Sequence, residues 1–151
     1  MCRMPLTASA CLSLLLAACA QTPRRHAEPT AQQKFVIELQ RLAGYGSTSC
    51  GEVALRTDST AAVTCTSNAL ASHQPFWLAL QLQGIDSTIW TGVAMDKNGA
   101  MYLSNFDSDV YGRSRSKAKP SSRVSRCEAL ESRHEGAMPF TCKNSQPIEM
   151  S

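Results

Sequence analysis

Apolar residues recur at the spacing of one helix face between residues 31 and 43, which predicts an amphipathic helix there. The apolar positions of this face are Phe35, Val36, Leu39 and Leu42. Thr30 and Gln33 match the capping box that opens helices, and Gly44 is the residue type that commonly ends them. A single apolar face has to be covered, so we expect this helix to pack on a sheet.

Alternation of apolar and polar residues begins at Phe76 and predicts strands over residues 76–83, 88–95 and 100–106. The turn before the third strand ends in Asn98-Gly99, a strong hairpin signal, so we expect a three-strand antiparallel meander. The predicted fold class is therefore α+β, with the N-terminal amphipathic helix packed on an antiparallel sheet.

Weaker patterns predict the remaining elements. Residues 53–65 carry two short apolar runs around turn-like residues, which predicts a hairpin that adds to the meander, and residues 66–73 predict a short helix. Residues 111–124 are rich in serine and basic side chains and predict a basic loop. Ser125 and Glu128 match a second capping box, which predicts a helix that Gly136 closes.

The N-terminus has the pattern of a secretory signal. One basic residue, Arg3, precedes an apolar run from Leu6 to Ala18, which is shorter than the roughly 20 residues of a membrane-spanning helix. The end of this run, Leu16-Ala17-Ala18-Cys19, resembles the lipobox of bacterial lipoproteins. The resemblance implies cleavage before Cys19 and acylation of that cysteine. The alternative is a plain secretory signal in which Cys19 is an ordinary cysteine.

Several expectations follow from this resemblance. Residues 1–18 are a signal peptide, residues 19–29 are the lipidated cysteine with a flexible tether, and residues 30–151 form one small domain. Acyl chains on Cys19 imply a stable membrane anchor. Ala20, where an aspartate would favour retention in the inner membrane, implies the outer membrane, with the domain facing the periplasm.

Four cysteines remain in the domain after Cys2 and Cys11 leave with the signal and Cys19 takes lipid; they are Cys50, Cys65, Cys127 and Cys142. An even number in an exported chain predicts disulfides. Three connectivities are possible, and we favour pairing in sequence order because each pair brackets a short segment. The competing zinc interpretation has no C-x-x-C pair and only scattered histidines, so we predict no metal site and no cofactor.

Charge gives little information about partners. The net charge of +3 falls to +2 when Arg3 leaves, and no basic motif with interleaved aromatic residues occurs, so we expect no nucleic-acid binding. Residues 107–112 begin like a calcium loop, but Tyr111 and Ala118 occupy ligand positions, so we expect no tight calcium site. We expect His73 and His134 to lie at helix C-termini, where a histidine favours the helix dipole.

The predicted fold brings three carboxylates together in one candidate functional cluster. In an antiparallel meander the first turn and the end of the third strand share an edge, which brings Asp86 near Asp107 and Asp109. Such a cluster can bind a cation, receive a basic partner or supply an acid and a base with separated pKa values. The plainer alternative, which we favour, is that Asp86 forms a turn and the other two begin a loop.

No motif for nucleophilic catalysis lies in a suitable predicted element. We therefore favour a non-enzymatic, lipid-tethered binding or accessory module with an envelope protein as its partner, for instance an inhibitor, immunity or assembly lipoprotein. The alternative is an envelope hydrolase that acts through Asp86, Asp107 and Asp109.

Overall fold

Two helices and eight strands form the part of the chain that the structure, a computed structural model, describes: residues 28–85, 87–108, 121–133 and 138–148. In chain order the elements are α1 (Ala31–Ala43), β1 (Thr48–Val53), α2 (Thr60–Ala71), β2 (Phe76–Gln83), β3 (Thr88–Met95), β4 (Met101–Asp107), β5 (Ser121–Cys127), β6 (Ala129–Ser132), β7 (Phe140–Lys143) and β8 (Gln146–Ile148). The class is α+β, as predicted.

The main sheet has six strands in the order β1-β2-β3-β4-β5-β8, and β6 and β7 pair separately. All neighbours in the main sheet are antiparallel except β1 and β2, which are parallel. Strands β2, β3 and β4 form the predicted meander. The turn that joins β3 to β4 is closed by the Asp96 carboxylate, which accepts the backbone N–H groups of Asn98 at 2.8 Å and Ala100 at 2.9 Å.

The predicted hairpin over residues 53–65 is wrong, because the chain forms helix α2 where the second hairpin strand was expected. Residues 60–71 contain four alanines, which favour a helix, and three threonines, which do not, and they have no glycine or proline to interrupt one. The Asp58 carboxylate accepts both the backbone N–H and the hydroxyl of Thr60, at 2.9 and 2.6 Å, where the helix begins. A crossover of this kind is required because β1 and β2 are parallel.

The helix predicted after Ser125 is also wrong, as is the loop prediction for residues 121–124. Residues 121–127 form β5, which pairs with β4 from Met101–Cys127 to Asp107–Ser121, and residues 129–132 form β6. Local sequence gives a weak strand signal here, since serine and arginine surround the one strongly apolar residue, Val124. Pairing with β4 and burial of Val124 decide the conformation.

Helix α1 covers one face of the sheet. It occupies the predicted range, and the Thr30 hydroxyl accepts the Gln33 N–H while the Gln33 side chain accepts the Thr30 N–H. The Phe35 ring lies 6.2 Å from that of Phe106 on β4, and Leu39 lies directly over Gly92 on β3. The helix therefore crosses the sheet with Phe35, Val36 and Leu39 buried and Leu42 partly buried.

The opposite face of the sheet is covered by α2 and the β6–β7 hairpin. Phe76 and Leu78 on β2 are fully buried there together with Ala69 on α2 and Phe140 on β7. The two faces of β2 thus contribute to different layers, because successive side chains on a strand point to opposite faces.

Two cysteine pairs stand at disulfide distance. Cys50 and Cys65 join β1 to α2 with their Cα atoms 5.5 Å apart, and Cys127 and Cys142 join β5 to β7 with their Cα atoms 5.2 Å apart. The favoured sequence-order pairing is confirmed. Both bonds attach peripheral elements to the strands of the main sheet.

We expect Gly92→Ala to destabilise the domain by about 1–3 kcal/mol, because a methyl group there overpacks the α1–β3 contact. The new Cβ would lie 2.4 Å from Leu39 Cδ1 and 2.8 Å from the backbone oxygen of Leu78. Urea unfolding measures the change in the free energy of unfolding. In a Leu39→Ala background the penalty should shrink, since part of the collision is removed; an equal penalty in both backgrounds would contradict this packing.

Candidate functional site

Of the predicted carboxylate cluster, Asp107 lies in the described residues, and Asp86 and Asp109 lie outside them. Asp107 is the last residue of β4 and pairs with Ile89 on β3 and Ser121 on β5. This register places Asp107 at the same end of the sheet as the β2–β3 turn. The convergence of the three carboxylates stays a prediction.

Asp107 lines an open depression of about 250 Å³ on the sheet. The other residues around it are Ile89, Asn105, Phe106, Ser121 and Arg123. Thr91, which is almost fully buried, donates its hydroxyl to the Asn105 side-chain oxygen at 2.9 Å and so orients that amide. A carboxylate, a guanidinium group and an amide around one depression suit the binding of polar groups of either charge.

Some of the other residues singled out in the sequence lie in the part of the chain that the structure describes, and some do not. Among the described residues, no group of three His, Cys, Asp or Glu side chains could hold a metal ion. Asp107 and Ser108 are the described members of the calcium-like segment, and Cys19 and His134 lie outside the described residues. His73 follows the end of α2 with a φ of 53°, and its N–H donates to the Leu70 oxygen.

Sequence reasoning did not find the carboxylate of Glu38 as an anchor between α1 and the sheet. Glu38 accepts the hydroxyl of Ser104 on β4 at 3.2 Å and that of Ser122 on β5 at 3.0 Å. Ser104 is fully buried, so this hydrogen bond satisfies a polar group inside the interface. The arrangement fixes α1 over β4 and β5. Nothing in the local sequence links residues 38, 104 and 122.

The most exposed aromatic side chain of the described residues is Tyr45, in the turn between α1 and β1. Gly44 and Gly46 flank it with φ angles of 85° and 79°, a conformation that favours glycine. The two glycines make the turn tight, and Tyr45 is fully exposed at its tip. In the sequence, two glycines flank Tyr45 directly after the predicted helix. This pattern could have indicated an exposed tyrosine in a turn.

Tyr102 lies on β4. Of the described residues whose pKa shifts, it is the one whose pKa rises. Burial raises the pKa of the Tyr102 phenol first, and the nearby negative charge of Asp96 raises it further, whereas Arg126 across the strand pair lowers it. The phenol donates to the Asp96 carboxylate at 3.4 Å. The folded protein therefore favours the neutral phenol, at the end of the sheet that also holds the β3–β4 turn.

In comparisons with known proteins, no protein-family model, curated protein or solved structure matches this chain. Neither described helix is long and apolar enough to cross a membrane. Function is therefore inferred from the residues and surfaces of this chain.

We expect the stability that Tyr102 contributes to be fully present below its ordinary pKa of 10.0 and to be lost as the pH rises through the higher pKa of the folded state. Ultraviolet titration of the phenols should therefore show a late-ionising component that Tyr102→Phe removes. The matched control, Tyr45→Phe, alters a fully exposed phenol and should leave that component in place. Loss of the late component in the control instead would contradict the assignment.

Proposed function

We propose that this chain is a bacterial lipoprotein precursor whose domain is a non-enzymatic binding or accessory module of the cell envelope. Lipid on Cys19 holds the domain at a membrane, and Ala20 favours the outer membrane with the domain in the periplasm. Two observations support this assignment: the lipobox-like residues Leu16–Cys19 and two cysteine pairs at disulfide distance. Disulfides persist in oxidising compartments such as the periplasm.

The exposed Tyr45 is the single observation that carries the binding role. Tyrosine combines a large apolar ring with a hydrogen-bonding hydroxyl and is enriched among the residues that dominate binding energy. The turn with Gly44 and Gly46 presents this side chain without burying any of it. Helix α1, which ends just before this turn, carries a second exposed apolar side chain, Ile37, which is 54% exposed.

The proposed partner is an envelope protein. The module would then act as an inhibitor, immunity or assembly lipoprotein. The hydrolase alternative stays a prediction, because it depends on Asp86 and Asp109, which lie outside the described residues. Asp107 lines a depression together with the Asn105 amide and the Arg123 guanidinium group. These groups can bind a polar partner as well as they could serve a hydrolase.

Cells that express the full chain and are fed labelled palmitate should incorporate label into the protein and retain it in the outer-membrane fraction. The Cys19→Ser variant should incorporate none, because acylation requires the cysteine sulfur. The matched control, Cys11→Ser, changes a cysteine inside the predicted signal peptide and should be labelled like the wild type. Equal labelling of the Cys19→Ser variant would remove the basis for the anchor.

Replacing Tyr45 by a photo-crosslinking phenylalanine analogue should give a specific adduct with one envelope protein. With that partner purified, Tyr45→Ala should weaken binding by about 30-fold, as expected for a residue that dominates an interface. Thr57→Ala, in the loop between β1 and α2, is a matched control in another turn and should bind like the wild type. Unchanged affinity of the Tyr45→Ala variant would exclude this surface.

A further inference from the structure

The depression beside Asp107 lies on the face of the sheet that α2 and the β6–β7 hairpin cover elsewhere. On β3, Val93 points to this face and is fully buried. Ile89 points to the same face, because side chains alternate along a strand, and it lines the depression. Asn105 on β4 and Arg123 on β5 also line it and are exposed. The covering layer therefore ends before these residues and leaves the depression open to solvent.

Strand pairing arranges the side chains of this surface in two rows across the sheet. The first row is Ile89, Asp107 and Ser121, and the second is Thr91, Asn105 and Arg123. Residues directly opposite each other on paired strands share a face. Asp107 and Arg123 are therefore diagonal neighbours, and diagonal neighbours in such a pair lie roughly 7–8 Å apart.

A buried hydrogen bond fixes how the Asn105 side chain meets the depression. The Thr91 hydroxyl, which is 1% exposed, donates to Asn105 Oδ1 at 2.9 Å. An amide carries its acceptor on the oxygen and its two donors on the nitrogen. Because Oδ1 is occupied by Thr91, the Asn105 Nδ2 group is the part of this side chain that can donate to a ligand.

Arg123 lies opposite Asn105 and adds further donors. A guanidinium group carries five N–H donors in a planar arrangement. Within the described part of the chain, the Arg123 guanidinium group forms no ion pair and no hydrogen bond. A planar guanidinium group binds a carboxylate through two parallel hydrogen bonds, so Arg123 and the Asn105 amide together are complementary to a carboxylate.

Asp107 adds the opposite charge on the diagonal position. An ionised carboxylate has about four acceptor positions, so Asp107 can accept from a ligand in addition to its contacts within the protein. Its complement is an ammonium group. The charges of Asp107 and Arg123 cancel, and like charges placed together are unfavourable. The pair therefore favours a ligand that carries both charges over a simple anion or a simple cation.

The size and the apolar wall of the depression narrow the class of ligand. Its volume of about 250 Å³ is below the roughly 300–1,000 Å³ of sites for drug-sized ligands. An α-amino acid carries its ammonium and carboxylate groups on one carbon, and a hydrogen bond of about 3 Å at each end lets it span the diagonal. Ile89 lies directly opposite Asp107 and offers an apolar contact on that side.

We propose that this depression binds a free apolar α-amino acid as its zwitterion. The ligand carboxylate accepts hydrogen bonds from Arg123 and Asn105. The ammonium group donates to Asp107, and the apolar side chain lies against Ile89. This role goes beyond the protein-binding role proposed above and depends neither on lipid at Cys19 nor on Tyr45.

The test titrates the purified full chain, in detergent micelles, with L-leucine and follows the side-chain N–H resonances of Asn105 and Arg123 by nuclear magnetic resonance. Both resonances should shift and saturate with a Kd of about 1 mM, as expected for a small ligand in an open depression. N-acetyl-L-leucine lacks the ammonium group and L-leucinamide lacks the carboxylate, so each should bind about tenfold more weakly. Absence of a saturable shift with L-leucine would overturn the site. Equal binding of the three compounds would overturn the zwitterion as its ligand.

Arg123→Gln should weaken L-leucine binding about tenfold, read from the Asn105 resonance, because a neutral amide replaces the charged donor. Arg126→Gln is the matched control and should bind like the wild type. It removes the same charge from the same strand, but Arg126 pairs with Tyr102 and points to the opposite face. Equal losses in the two variants would show a general effect of charge and would overturn the placement.

Asp107→Asn tests the contact with the ammonium group. This variant should weaken L-leucine binding about tenfold. It should strengthen binding of N-acetyl-L-leucine, because that compound keeps only its negative charge, which Asp107 repels. Weaker binding of both compounds would contradict the assigned contact.

Tyr45→Ala separates this proposal from the protein-binding role. Tyr45 precedes β1, whose first residue pairs with the first residue of β2, whereas Asp107 pairs with Ile89 beside the end of β2. The two residues therefore lie at opposite ends of the sheet, and Tyr45→Ala should bind L-leucine like the wild type. Loss of L-leucine binding in this variant would contradict the site, whatever its effect on a protein partner.

Discussion

The close approach of α1 to β3 determines how the layers of this protein meet. Gly92 has no side chain, and Leu39 occupies the space that a Cβ atom would need. This contact lets α1 lie directly on the sheet, where Phe35 reaches Phe106 and Glu38 reaches Ser104. The direction of α1 across the sheet, and hence the end at which the preceding chain arrives, follows from these three contacts.

The layer on the other face of the sheet, made of α2, β6 and β7, is built from small side chains and short strands. Helix α2 buries mainly small side chains, such as Ala62 and Ala69, and β6 and β7 form a separate pair of four-residue strands. The bonds Cys50–Cys65 and Cys127–Cys142 connect them to the main sheet, and a cross-link of this kind restricts the unfolded chain and so favours the folded one.

The two ends of the sheet differ in the groups they present. One end has the start of α1, the exposed Ile85 and the depression beside Asp107. The other has the Tyr45 turn and the β3–β4 turn that Asp96 closes. The proposed binding role uses the Tyr45 end, where the exposed ring is available to a partner.

The sequence by itself determined the features that depend on local pattern. Helix α1 with its capping box, the meander and the pairing of cysteines in sequence order all follow from neighbouring residues and short loops. Tertiary structure decided the rest. Residues 60–71 and 121–127 have mixed local signals, and their conformation depends on parallel pairing of β1 with β2 and on pairing of β5 with β4. The same holds for the Glu38 anchor, because its contacts with Ser104 and Ser122 join segments that are distant in sequence.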